Sequence, residues 1–146
     1  TLLNELFGCS FETSKRYKPR PQTCRRIQAS IPSSEILATT KRVIVALDFP
    51  GLDGRVESEW ILSKRAATFA VGFSDIVIVN LWCADIGRQD ASGLNVLPSL
   101  FYESTKIFTP EDIRKTLLLF VIRDHDDASP IDTLRNVIES DVENLW

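Results

Sequence analysis

A chain of 146 residues, 44% hydrophobic and 25% charged, can bury one substantial core, so a single domain is expected. A formal net charge of −3 gives no reason to expect a nucleic-acid partner. No apolar stretch reaches the roughly 18–20 residues that cross a bilayer, and the best candidate, residues 69–82, carries Asp75 and Asn80.

In chain order, Leu2, Leu3 and Leu6 fall on one helical face and Gly8 suits a C-cap. A helix that opens on Thr1 with no cap and no Met, in a chain without any Met, leads us to expect a fragment whose first helix lacks its leading turn. Residues 9–41 are polar, hold three of the seven prolines, and should be mostly loop with one edge strand. Within them Lys15, Arg16, Lys18, Arg20, Arg25 and Arg26 form a basic cluster, a phosphate- or membrane-facing patch or, as we favour, a solvated loop.

Residues 42–47 read as a buried strand and Glu57–Val71 as a helix around which Trp60, Ile61, Lys64, Ala67 and Phe69 are distributed. The strand Ser74–Trp82, the helix Asn95–Phe108 and the strand Thr116–Ile122 follow. A last helix has Ser129 at the N-cap and Pro130 in the first turn, and runs to about Leu145. Strands alternating with helices of this length imply crossover connections and an α/β, doubly wound, largely parallel sheet. Cys9, Cys24 and Cys83 are odd in number and lack C-x-x-C spacing, so they suggest a reducing compartment and no zinc site. Trp60 and Trp82 read as core and Cys83 as an inert buried thiol. No secretory signal is visible.

Two strand ends carry chemistry. Val43 to Leu47 runs into Asp48, and Gly51 follows three residues later. This D-x-x-G arrangement suits a nucleotide switch: an acid at the carboxyl end of a strand can hold Mg²⁺ through water, and a bare glycine backbone can approach a terminal phosphate. Asp and Gly also suit any strand-to-loop turn. The second end is Leu117 to Arg123-Asp124, another apolar strand closing on an acid. In a doubly wound sheet, carboxyl ends open onto the edge where ligands bind.

Thr1 to Gly8, Asp48 to Gly54, Phe73 to Arg88 with its Trp-Cys-x-Asp-Ile-Gly-Arg run, and Phe120 to Asp124 resemble, in order and over nearly the whole chain, the G domain of the root hair defective GTPases. These are counterparts of atlastin in the dynamin superfamily. The resemblance implies a P-loop-type G domain, here residues 1–146, with a first switch at 9–41 and a second at 48–58. It implies GTP and Mg²⁺ as ligands and GTP-dependent homodimerisation of the intact protein. It also implies fusion of endoplasmic reticulum membranes from their cytoplasmic face, through anchoring segments outside this chain.

Position by position, the resemblance has Asp48 holding Mg²⁺ through water and Gly51 contacting the γ-phosphate. Arg123-Asp124 matches the guanine-reading pair: a carboxylate there accepts from both N1–H and the 2-amino group, a donor set adenine lacks. His125 becomes a loop residue near the base. Leu52 stands where small GTPases place a water-orienting Gln, as in dynamin-like relatives, so activating groups come from elsewhere. The phosphate-binding loop, G-x-x-x-x-G-K-S, is expected directly ahead of Thr1, and without it these 146 residues should be inactive.

Relatives carry Gln-Thr-Thr-Lys-Gly-Ile in the first switch, whereas this chain reads Gln22-Thr23-Cys24-Arg25-Arg26-Ile27. Cys24 therefore stands where a Mg²⁺-ligating hydroxyl belongs, although Mg²⁺ prefers oxygen. Either Thr23 shifts into the role, or Mg²⁺ and γ-phosphate are held less well. The second outcome would make this a degenerate, non-catalytic G domain serving as a regulatory or interaction module. An ATP-dependent doubly wound enzyme is disfavoured by Arg123-Asp124.

Overall fold

A computed structural model describes residues 1–13, 27–32, 43–49, 57–88, 97–98, 101–102, 109, 116–126 and 128–144. The chain divides into two compact units, Thr1–Gly51 and Leu52–Trp146.

The first unit opens with α1, Leu2–Phe7, which ends where expected. Gly8 turns left-handed at φ 60° and its N–H bonds the Asn4 carbonyl, a conformation that costs glycine little. The Asn4 side chain then fastens the following segment. Its Nδ2 donates to the Phe11 carbonyl at 3.0 Å, and its Oδ1 accepts from the Phe11 N–H at 2.9 Å. Cys9 and Phe11 are thereby folded into a small core with Ala46, against which Leu3 and Phe7 pack.

Strand β1, Gln28–Ser30, pairs antiparallel with β2, Ala46–Asp48, in the register Gln28↔Asp48 and Ser30↔Ala46. The edge strand expected within 9–41 is therefore β1. The buried strand expected at 42–47 needs correction. It is regular only over Ala46–Asp48, and Val43, ahead of the strand, is 85% exposed.

The second unit contains α2, Glu57–Phe73, then β3, Ile76–Trp82, and β4, Leu117–Arg123. The two strands run parallel, residue against residue from Ile76↔Leu117 to Trp82↔Arg123. The start of β4 is pinned to the end of α2. The Thr116 hydroxyl is shared between the carbonyls of Val71 and Ser74, each 3.0 Å away, and the Leu117 N–H donates to the Asp75 carbonyl at 2.9 Å. Helix α3, Ile131–Glu143, follows β4. Pro130 occupies its N-cap, one position before the expected first turn, so Ser129 lies outside the cap.

Side chains alternate along the strands, and parity assigns Val77, Val79 and Leu81 to one face together with Leu118, Phe120 and Ile122. That face builds the core. Ala67 of α2, Val79, Leu81, Leu97 and Ile138 of α3 are buried together, with Phe120, Ile122 and Val142 packed around them. Of the helix expected at Asn95–Phe108, Leu97, Pro98, Phe101 and Tyr102 are described and helical. The opposite parity places Ile76, Ile78, Trp82, Leu117, Leu119 and Val121 on the second face, where Leu117 is 59% exposed.

The expected parallel α/β sheet is thus present as this strand pair with helices on its core face. Among the described residues the parallel sheet consists of these two strands. Among those residues, no helix is long and apolar enough to cross a membrane.

Candidate functional site

In the first unit, Asp48 is the last residue of β2, at the strand end where the sequence places it. Burial pushes its carboxyl above the ordinary value. The Thr1 hydroxyl oxygen is buried without a hydrogen-bond partner. The Asp48 carboxylate at a strand end and the unpaired Thr1 hydroxyl are both oxygen donors. Mg²⁺ is held through oxygen, commonly by one or two protein groups with waters and substrate phosphates, so these groups fit it. Among the described residues no three His, Cys, Asp or Glu side chains converge.

The direction of the Asp48 shift makes a prediction. A carboxyl whose folded pKa lies above its unfolded one favours folding below the unfolded pKa, and that advantage is lost as pH rises through the folded pKa. Asp48→Asn removes the charge and should flatten this part of the pH–stability curve. The melting temperature at neutral pH should be unchanged or slightly higher, while any Mg²⁺-dependent nucleotide binding falls. Parallel thermal melts from mildly acidic to neutral pH test it, and a curve as steep as the parent's there would contradict it.

In the second unit, Arg123 closes β4 and Asp124 follows at φ +53°, the one non-glycine residue in the left-handed region among those described. Asp tolerates that conformation better than most side chains, and strained backbone clusters where chemistry needs it. The loop beyond is clasped: His125 Nε2 lies 2.6 Å from the Ser129 carbonyl and donates to it in the tautomer protonated there. His125 is exposed, as expected of a loop residue.

Across the sheet, the Arg123 guanidinium lies 5.0 Å from the centre of the Trp82 ring. Trp82, read from sequence as core, is instead 46% exposed, because its parity puts it on the second face with Ile76 and Ile78. Cys83 is buried, as expected, and so is Cys9.

The Trp-Cys-x-Asp-Ile-Gly-Arg run has a structural reason. Cys83–Asp85 form a 3₁₀ turn, Ile86 packs on the core, and Gly87 closes it at φ +81°. A Cβ on Gly87 would meet Val137 Cγ1 at 3.7 Å, an ordinary contact, so backbone conformation rather than space requires the glycine.

Thr23, Cys24, Gly51, Leu52, the basic cluster and the Trp60 side chain lie outside the described residues. Asp48 belongs to one unit and Arg123 and Asp124 to the other, and each is placed within its own.

Residues 1–146 match the family model described as Root hair defective 3 GTP-binding protein (RHD3) GTPase domain. Among curated proteins, the chain is 36% identical to "Protein ROOT HAIR DEFECTIVE 3 homolog 1" of Arabidopsis thaliana, over all of this chain and 18% of that one. It is 31% identical to "Protein SEY1 homolog 1" of Entamoeba histolytica and 30% identical to "Protein SEY1 homolog" of Dictyostelium discoideum, again over its whole length and 15% and 16% of theirs. It spans less than a fifth of the length of these relatives.

Proposed function

Because the chain belongs to the root hair defective 3 GTPase family, we propose that it is part of a G domain that binds GTP with Mg²⁺ and contributes to its hydrolysis. The observation that carries the reading is Arg123-Asp124 at the carboxyl end of a parallel strand, with Asp124 held left-handed ahead of a clasped loop. In this role Asp124 accepts two hydrogen bonds from the guanine edge, and Arg123 lies beside the base. Asp48 holds Mg²⁺ through a water, with Gly51 toward the γ-phosphate. Bound Mg²⁺ supplies charge neutralisation on the phosphate oxygens.

Residues 9–41 and 48–58 act as the two switches, and phosphate capture falls to a loop ahead of Thr1. At the level of the whole protein, the reading extends to GTP-dependent homodimerisation and fusion of endoplasmic reticulum membranes from the cytoplasmic side. Anchoring then comes from segments outside these residues.

The test is a calorimetric titration of the full-length protein with GTP and with ATP, each with and without Mg²⁺. Mg²⁺-dependent binding of GTP at least tenfold tighter than ATP is expected, and equal affinities would overturn the guanine reading.

A second reading, a degenerate domain serving as an interaction module, is favoured by one feature, Cys24 in place of a hydroxyl. If that thiol weakens the site, Cys24→Thr should tighten Mg²⁺-dependent binding of a non-hydrolysable GTP analogue by about tenfold, the worth of one added ligand. GDP binding should change little, since the triphosphate orders that loop. Unchanged analogue affinity would remove the main support for degeneracy.

A further inference from the structure

Trp82 and Arg123 are register partners at the ends of adjacent parallel strands, and both lie on the sheet face opposite the core. A tryptophan at such a position is held from both sides by its own chain. Leu81 before it is 1% exposed, and Cys83 after it is buried at the start of the 3₁₀ turn. The indole, 46% exposed, stands at the edge of the sheet, and the Arg123 guanidinium lies over it at 5.0 Å. A guanidinium over an indole face is held toward it by cation–π attraction. The next residue is Asp124, whose backbone is the strained one. Beyond it, the His125 contact with the Ser129 carbonyl closes the loop from the other end. The acid is thus bracketed by a stacked cation on one side and a clasp on the other.

We infer that Trp82 is a positioning residue for nucleotide recognition: by stacking on Arg123 it sets the orientation from which Asp124 reads the base, without touching the nucleotide itself. This rests on the reading of Arg123-Asp124 as the base-recognition pair. The ligand class is a purine nucleotide with donors at N1 and C2. A half-exposed cation–π pair corresponds to a change of about three- to tenfold in an equilibrium constant. Because Trp82 acts through the pair that reads the base edge, that change should fall on base discrimination, leaving phosphate capture intact.

The experiment compares Trp82→Leu, which keeps an apolar side chain but loses the aromatic face, with Trp82→Phe, which keeps a ring. Affinities for GTP and for inosine triphosphate, which lacks the 2-amino group, are measured in the full-length protein beside Asp124→Ala. Trp82→Leu should weaken GTP binding about three- to tenfold and shrink the preference for GTP over inosine triphosphate, with the melting temperature within a few degrees of the parent's. Trp82→Phe should restore most of both. In the Asp124→Ala background, Trp82→Leu should add nothing.

If Asp124→Ala itself leaves GTP affinity unchanged, the base-recognition reading is at fault and the inference falls with it. If Asp124→Ala weakens binding but Trp82→Leu leaves the nucleotide preference as in the parent, or weakens both nucleotides equally, only the positioning role is overturned. Should Trp82→Leu unfold the protein, Trp82→Phe decides: a parent-like GTP preference supports the role of the ring, and a lost preference with intact stability refutes it.

Discussion

In the full-length protein, Asp124→Ala should weaken GTP binding by about 2–5 kcal/mol, roughly 30- to 5,000-fold, with ATP binding little affected. The size follows from the chemistry of the pair. A carboxylate that accepts from N1–H and the 2-amino group makes two charge-assisted hydrogen bonds, and deleting it strands both donors of a base already removed from water. The position favours a large effect: Asp124 follows directly on the register-locked end of β4 and is held left-handed at φ +53°.

Asp124→Asn gives a sharper version. An amide can donate to a carbonyl where the carboxylate could only accept. Preference should therefore move from GTP toward xanthosine triphosphate, whose C2 carries an oxygen. Equal affinity of Asp124→Ala and the parent for GTP, by calorimetry, would end the base-reading role.

The second large effect is on stability. Leu81 is 1% exposed, within a cluster formed by Ala67, Val79, Leu97 and Ile138. Leu81→Ala should cost about 2–5 kcal/mol, from lost apolar burial and from a cavity that strands and helices on both sides cannot collapse to fill. The urea midpoint should fall with little change in slope. Leu119→Ala serves as the internal contrast. Leu119 lies on the adjacent strand β4, on the other face, and is 46% exposed, so in the same 146-residue chain its truncation should cost less than half as much. Comparable losses at the two positions would mean that the core face has been misassigned.

These two expectations draw on different sources. The identity of Asp124 and its place at the end of an apolar strand were legible in the sequence, as was Asp48 at the end of its own. An acid that interrupts a run such as Leu117 to Ile122 can sit only where burial stops. The crossover spacing likewise announced a parallel pair, and β3 with β4 is one. Gly8 as a C-cap was legible because a left-handed residue closing a helix is cheapest as glycine.

Other features could not be read this way. A strand apolar at nearly every position, as β4 is, gives no clue to which parity faces the core. Only packing against Ala67 and Ile138 assigned Leu81 inward and Trp82 outward onto Arg123. Val43 and Val45 look like core by composition, yet both are exposed, since burial depends on neighbours that a local pattern does not specify. Nor could the sequence foretell that the Asp48 carboxyl is raised by burial, because desolvation belongs to three-dimensional surroundings. The sequence by itself determined which chemical groups stand at the strand ends, because those are set by local pattern. The tertiary structure alone decided which face each strand buries and what lies beside each group, because these follow from contacts between residues far apart in the chain.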